Sequence, residues 1–471
     1  MPSGASGRSS AGHTVEDRSL EADDLRTSEC DNVASKRVPP APLLAALVDD
    51  QPWQAAIETF RTRHPRREAR LEAYETLIES GRHREIAAEV LACSYRPSPP
   101  RDAWVNKADG RKKRVFQYGT DDELLFRVLN RLLQPAALRA ASPWCRSFLP
   151  GGGARAAFGA VLADPEVASK AALRLDVRDF FNSIDVDDLL ATLPDEFAAD
   201  APTRALLDAT LRDHRVQRGD DIVEGGRKGV MAGTPIAPVL ATLYLRDLDT
   251  EVAAHGVTYA RYSDDIIVLA EPTTLATADA LLRQRLRERG LEVNERKSSI
   301  GTAGEPWEFL GFRCERGRIT LAAITEHKLK TRTTRLARGL LRWREQTGAS
   351  PERTLRAYFR RLNRRLYTRS SERGEFSWAT WFLPMLDGAE MLKPLDHHIQ
   401  REARYAATGK RSERTRALVP YAALVDAGHV PLVSAYWARR SDVCGHDVRE
   451  RLARVVVEPG RLEHHVLHEH E

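Results

Sequence analysis

A chain of 471 residues, 42% of them apolar, can bury the cores of two or three domains, and no stretch nears the ~18 apolar residues of a membrane span. Met1 to Gly7 has no signal-peptide character, and the five scattered cysteines form no Cys-x-x-Cys pair; a cytoplasmic protein without a membrane partner, disulfide framework or zinc finger is expected. The net charge is only +5, yet His327 to Arg373 holds 15 Lys/Arg against three acids (15 − 3 = +12, leaving −7 elsewhere), the asymmetry of a domain that grips a polyanion.

Residues 1 to 40 are rich in Ser, Gly and charge without periodicity, and a disordered leader is expected there. From 41 to 100, patterns such as Ala55 to Phe60 and Leu71 to Ile78 predict a helical extension, either a small pre-domain or a surface for a partner or template. Arg96-Pro97-Ser98-Pro99-Pro100 reads as a linker. Ala103 to Lys107 and Lys113 to Gln117 flank Asp109-Gly110, a hairpin signal, and this hairpin carries Lys107, Arg111, Lys112, Lys113 and Arg114. Thr120-Asp121-Asp122-Glu123 predicts a capping box for a helix through Leu133.

Leu173, Leu175 and Val177 alternate with polar residues, so a strand is predicted with Asp176 on the opposite face. Asp179 and Asp185 follow as a turn acid and the N-cap of a helix through Leu190. Gly229 to Pro238 is a Gly/Pro-rich loop running into an apolar helix. Thr258 to Tyr262 and Ile266 to Ala270 read as two strands, with Asp264 and Asp265 at the turn between them. Neighbours within a strand point to opposite faces, so only a tight turn aims two consecutive carboxylates into one space. Such a pair is either a solvated turn or a place to hold a divalent cation with oxygen ligands.

Downstream stand Asn294-Glu295-Arg296-Lys297 and Phe309-Leu310-Gly311-Phe312. Leu355, Phe359, Leu362 and Leu366 then recur at helical spacing beside Arg353, Arg356, Arg360 and Arg364, an apolar stripe next to a basic one. Trp378 to Tyr405 and Tyr421 to Trp437 read as further helices, with breaks at Gly409 and Gly428; they either complete this domain or bind a structured RNA. The His464, His465, His468 and His470 tail reads as solvated.

The ordered set Asp176-x-x-x-x-Phe181, Gly229-x-x-x-Gly233-x-Pro235, Tyr262-x-Asp264-Asp265, Asn294-x-x-Lys297 and Phe309-Leu310-Gly311-Phe312 resembles the palm of bacterial reverse transcriptases over roughly residues 101 to 370. The resemblance implies an α+β right-hand polymerase: fingers over 101–170, an antiparallel palm over 171–315 with a fingers insertion near 190–228, and a helical thumb and C-terminal region over 316–471. It implies an RNA-directed DNA polymerase using an RNA template, a DNA or RNA primer and dNTPs. Asp176, Asp264 and Asp265 match the metal ligands of the family, for two Mg2+ or Mn2+ ions, and Lys297 the proton donor to pyrophosphate. Hard, oxygen-seeking ions suit carboxylates.

By the same resemblance, Lys112 and Arg114 of the fingers hairpin would hold the triphosphate, Phe181 would exclude a 2′-hydroxyl, Gly233 and Pro235 would support the templating pair, and Arg353, Arg356, Arg360 and Arg364 would track the duplex backbone. Two departures stand out. Family members commonly carry Arg after the Phe of the glycine-rich block, where this chain has Leu149 and offers Arg155 instead; most carry Pro-Gln where this chain has Met231-Ala232. The signatures of intron, diversity-generating and retron enzymes are not found, so by elimination a stand-alone enzyme of antiviral defence is expected. A retron-like or intron-like element enzyme and a non-catalytic RNA-binding cofactor are the alternatives.

Overall fold

The computed structural model describes residues 42–64, 67–106, 112–226, 228–367 and 377–440. The expected leader, the histidine tail and the 107–111 turn of the hairpin lie outside the described residues. In chain order the strands are β1 (Arg101–Asn106), β2 (Lys112–Gln117), β3 (Ala171–Asp176), β4 (Arg215–Arg218), β5 (Asp221–Glu224), β6 (Thr258–Tyr262), β7 (Asp265–Ala270), β8 (Ser299–Gly301), β9 (Trp307–Phe309), β10 (Phe312–Glu315) and β11 (Arg318–Leu321). They form three sheets, ordered β2-β1-β4-β5, β6-β7-β3-β8 and β11-β10-β9.

The β6-β7-β3-β8 sheet divides the apolar interior. Leu173, Leu175, Ile266 and Val268 face one core, shared with the helices Ala237–Tyr244, Arg246–Ala253 and Pro272–Glu288. Ala172, Ile267 and Leu269 face another, shared with Phe158, β9 to β11 and the C-terminal helices. Both faces of β7 are therefore buried, which is why Ile266 to Ala270 shows no polar alternation. β3 and β7 are antiparallel with Asp176 opposite Asp265, and β7 pairs with β6 so that Tyr262 faces Asp265.

The N-terminal helices Asp50–Arg63, Glu68–Glu79 and Arg82–Leu91 share the first core, with Trp53, Phe60, Tyr74 and Ile86 buried beside Leu125 and Leu129 of the helix Thr120–Ala140. That helix corrects the capping-box expectation, because Gly119 is its N-cap and no side chain caps it. The acids serve the extension instead. Asp121 accepts from Arg82, buried Asp122 accepts from the Tyr95 hydroxyl and the Ser98 N–H, and Glu123 pairs with Arg70 and Arg127.

Beyond β11 the chain is helical, with Ala323–Thr347, Pro351–Tyr367 and Lys393–Thr408 packed together. The helical segment from Trp378 to Tyr405 is interrupted: Trp378–Phe382 gives way to short 3-10 turns, Leu383–Met385 and Glu390–Leu392, before Lys393. Proline lacks the N–H an interior turn would use, which accounts for the break. Among the described residues, Cys93, Cys145 and Cys314 are free thiols, and no helix is long and apolar enough to cross a membrane.

Candidate active site

Tyr262 and Asp265 close a two-residue hairpin whose first central residue, Ser263, has φ of 60°. A left-handed serine costs about 1–3 kcal/mol and persists only where its surroundings hold it. Here they do. The Ser263 N–H donates to the Ser147 hydroxyl (2.5 Å), and the Val177 N–H donates to the Asp264 carbonyl (3.0 Å), fastening the tip to the end of β3. Phe148 and Asp179, near the same tip, are also left-handed.

Asp176, 3% exposed, is gripped from the 294–298 turn. Its carboxylate accepts from Asn294 Nδ2 (2.7 Å) and Lys297 Nζ (2.6 Å), and its carbonyl from the Asn294 N–H (2.7 Å). Asp265 pairs instead with Arg174 (3.1 Å). Burial pushes the Asp264 carboxyl above its ordinary range, and the charges of Asp265 and Asp176 push it the same way. An ionised Asp264 thus calls for a cation.

A cleft of about 210 Å³ opens over this corner, lined by Asp176, Asp179, Asp264, Phe181, Asn294 and the cations Lys113, Arg178, Arg296 and Lys297, among others. Among the described residues, no three carboxylates, imidazoles or thiols converge as a ready cage for a metal. The donors still suit a hard ion. Mg2+ is ordinarily held by one or two carboxylates together with substrate phosphates and water, and Asp176 and Asp264 supply such a half-site, with the Lys297 ammonium standing where a cation belongs.

The cleft gathers Asp176, Asp264, Lys297 and Phe181. It does not gather Asp265, Lys112, Arg114, Gly233 or Pro235. Lys112 is exposed, and Arg114 lies over the Phe116 ring (4.7 Å) and donates to Asp102 and to the Gly225 carbonyl (both 3.1 Å). Residues alternate across a strand, so Lys113 projects from the other face of β2, with Nζ 5.3 Å from the Phe181 ring centroid. The Gly229–Pro235 loop lies against β2 through the Phe116 N–H to Ala232 carbonyl bond (2.8 Å), and a Cβ on Gly229 would collide with the Phe181 carbonyl. Met231 is buried, its sulfur accepting from the Tyr118 hydroxyl (3.2 Å), so this departure from the family pattern is absorbed in the core. Arg155 is exposed and away from the cleft lining.

Arg353, Arg356, Arg360 and Arg364 stand on the exposed face of Pro351–Tyr367, whose other face buries Leu355, Phe359, Leu362 and Leu366. A second exposed stripe, Lys328, Arg332, Arg335, Arg338 and Arg342, runs along Ala323–Thr347. Its near-helical spacing was present in the sequence, inside the +12 segment. The inward aim of Lys113, the grip of Asn294 on Asp176 and the Ser147 bond were harder to find, since a strand's inward face and a turn's partners depend on tertiary register.

The α+β domain thus carries two acids on a hairpin tip, a third at the end of the adjoining strand, and a cation-lined cleft that Asp176 and Asp264 reach. Residues 108–314 match the family described as reverse transcriptase (RNA-dependent DNA polymerase). The Retron Mx65 reverse transcriptase of Myxococcus xanthus is 30% identical over 172 residues, covering 35% of this chain and 39% of that protein. The chain spans only about two-fifths of that relative's length. Among solved structures, an apo telomerase from Candida tropicalis, truncated from its C-terminal domain, aligns over 48% of this chain and 56% of that one at 11% identity and a TM-score of 0.39, a likeness that carries no functional weight.

Proposed function

We propose that this chain is an RNA-directed DNA polymerase that joins dNTPs to a primer 3′-hydroxyl on an RNA template. The observation that carries the reading is the opening of Asp176 and Asp264, from two different strands' ends, onto one cleft that also holds Lys113, Arg296 and Lys297. Divalent cations held by Asp176 and Asp264, two Mg2+ in the expected arrangement, would make the 3′-hydroxyl nucleophilic near neutral pH and neutralise the departing pyrophosphate. Asp265 completes the expected set of ligands once Arg174 is turned aside.

Lys113 takes the triphosphate role expected of Lys112 and Arg114, because it is the β2 cation that faces the acids. Arg296, which lines the same cleft, adds a second charge. Lys297 holds its proton beside Asp176 and delivers it from Nζ to the leaving group, the task of a flexible ammonium. The Phe181 ring, set against Phe148 at 6.1 Å, fills the space a 2′-hydroxyl would need and favours deoxynucleotides. In this reading β1, β2, β4 and β5 belong to the fingers and the helices from Ala323 onward to the thumb, whose two basic stripes take the template–primer backbone.

The test is extension of a DNA primer on an RNA template with Mg2+, comparing dNTPs with NTPs and wild type with Asp264→Ala. Extension by dNTPs that the variant loses supports the reading. Activity on NTPs alone, or activity that survives the substitution, contradicts it. For the biological role, bacterial antiviral defence as a stand-alone enzyme remains the proposal by elimination, and the likeness to a retron reverse transcriptase favours a second, retron-like reading with a dedicated structured RNA. Phage challenge of cells carrying the gene tests the first; sequencing of nucleic acid that co-purifies with the protein tests the second.

A further inference from the structure

Behind the hairpin, on the sheet face opposite Asp176 and Asp265 by register, lies an ion pair that the chemistry above does not use. Arg261 and Asp249 are both 0% exposed, joined by Nε to Oδ1 at 2.7 Å and Nη2 to Oδ2 at 2.6 Å. The Tyr259 hydroxyl also donates to Asp249 Oδ1 (2.7 Å). Removing two charges from water is costly, and well-packed apolar residues of similar volume often serve stability as well or better. The pair therefore needs another reason to be there.

The remaining donors of Arg261 supply one. Nη2 donates to the Thr242 carbonyl (3.0 Å), in the last turn of Ala237–Tyr244, where carbonyls lack partners within the helix. Nη1 reaches the Ser263 carbonyl (3.4 Å), in the strained turn that carries Asp264. Asp249 in turn stands in the first turn of Arg246–Ala253, where a negative charge suits the helix dipole. One planar guanidinium thus ties two helices and the hairpin tip into a single rigid unit. With the Ser147 and Val177 bonds, both polar backbone groups of Ser263 and the carbonyl of Asp264 have named partners. A lysine could keep the charge but not the forked reach.

We infer that Arg261, paired with Asp249, is a positioning residue: through the Ser263 carbonyl it fixes the turn that presents Asp264 to a divalent cation. The inference rests on the metal-binding reading of Asp176 and Asp264, and its test separates the two. The full chain is prepared as wild type, as the double variant Asp249→Leu/Arg261→Met, which removes both charges at similar volume, and as Arg261→Lys, which keeps the pair and loses the fork. Each is measured for melting temperature, for Mn2+ affinity by electron paramagnetic resonance, and for kcat and KM in primer extension.

The double variant is expected to fold, to bind Mn2+ about 10-fold more weakly or worse, and to lose kcat by a similar factor while KM for dNTP holds, the scale at which partners behind a metal ligand act. Arg261→Lys is expected to fall between it and wild type. Wild-type Mn2+ affinity and kcat in a folded double variant would overturn the inference and leave the polymerase reading intact. If the double variant fails to fold, Arg261→Lys decides, and wild-type behaviour there overturns it equally. Should the wild-type chain extend no primer while Mn2+ affinity still separates the variants, the positioning role stands and the polymerase reading falls.

Discussion

Behind the central sheet, Arg261 and Asp249 lie wholly out of water; in front of it, Lys297 reaches Asp176 with 46% of its own side chain exposed and only 4% of its partner's. The rear pair is two-pronged and backed by a tyrosine hydroxyl and a helix carbonyl. The front pair is one-pronged and open to the cleft. A cation that touches water on one side can be exchanged for another, whereas a guanidinium sealed among two helices and a strand cannot. The difference shows how one hairpin can be rigid in its backbone yet open at its carboxylates. In the proposed reading, the rear charge holds geometry, and the front charge keeps a place for the ion and substrate that would replace it.

The largest effect that would test this contrast lies at the tip. Asp264→Asn should lower primer extension by at least about 10³-fold. Its melting temperature should stay level or rise, because burial and two like charges already work against the ionised side chain. A variant that loses stability along with activity would break the separation of tip from frame.

Next comes the rear pair. Arg261→Met alone strands a buried carboxylate and should cost about 3–5 kcal/mol of stability by chemical denaturation, while adding Asp249→Leu should restore most of it. If the single and double variants melt alike, the pair is not coupled.

Lys297→Ala sharpens the contrast from the front. Melting should barely move, because the lysine is nearly half exposed. Extension should fall about 10²-fold for want of a proton donor. Mn2+ should nevertheless bind at least as tightly as to wild type, because the ammonium competes for Asp176. Weaker Mn2+ binding would mean that Lys297 organises the site instead of holding its place.

The smallest effect concerns cations that belong to neither pair. Replacing Arg356 and Arg360 with Ala should leave kcat at saturating template–primer unchanged and should lower the slope of log K against log salt by about one per arginine. An unchanged slope would remove this face from the nucleic-acid surface.

Much of the frame was legible in the chain because it rests on local pattern. The alternation around Asp176, the two strands about Asp264 and the amphipathic Pro351–Tyr367 helix follow from spacing alone. What stayed hidden depends on partners distant in sequence. Nothing local distinguishes Lys113 from Lys112 and Arg114, since the inward face of β2 is set by its packing on the Gly229–Pro235 loop. The acids after Thr120 looked like a cap because, Arg127 apart, their partners Arg70, Arg82, Tyr95 and Ser98 lie on the N-terminal extension, 24 to 53 positions away. Nothing in the sequence singles out Arg261, and only the docking of Arg246–Ala253 against β6 reveals its guanidinium as wholly enclosed.

The most direct measurement is anomalous diffraction from crystals soaked with Mn2+ and a dNTP. The account requires a manganese peak within about 2.5 Å of carboxylate oxygens from both Asp176 and Asp264, with Lys297 displaced from Asp176. Manganese bound elsewhere, with Lys297 still on Asp176 and Asp264 bare, would contradict it.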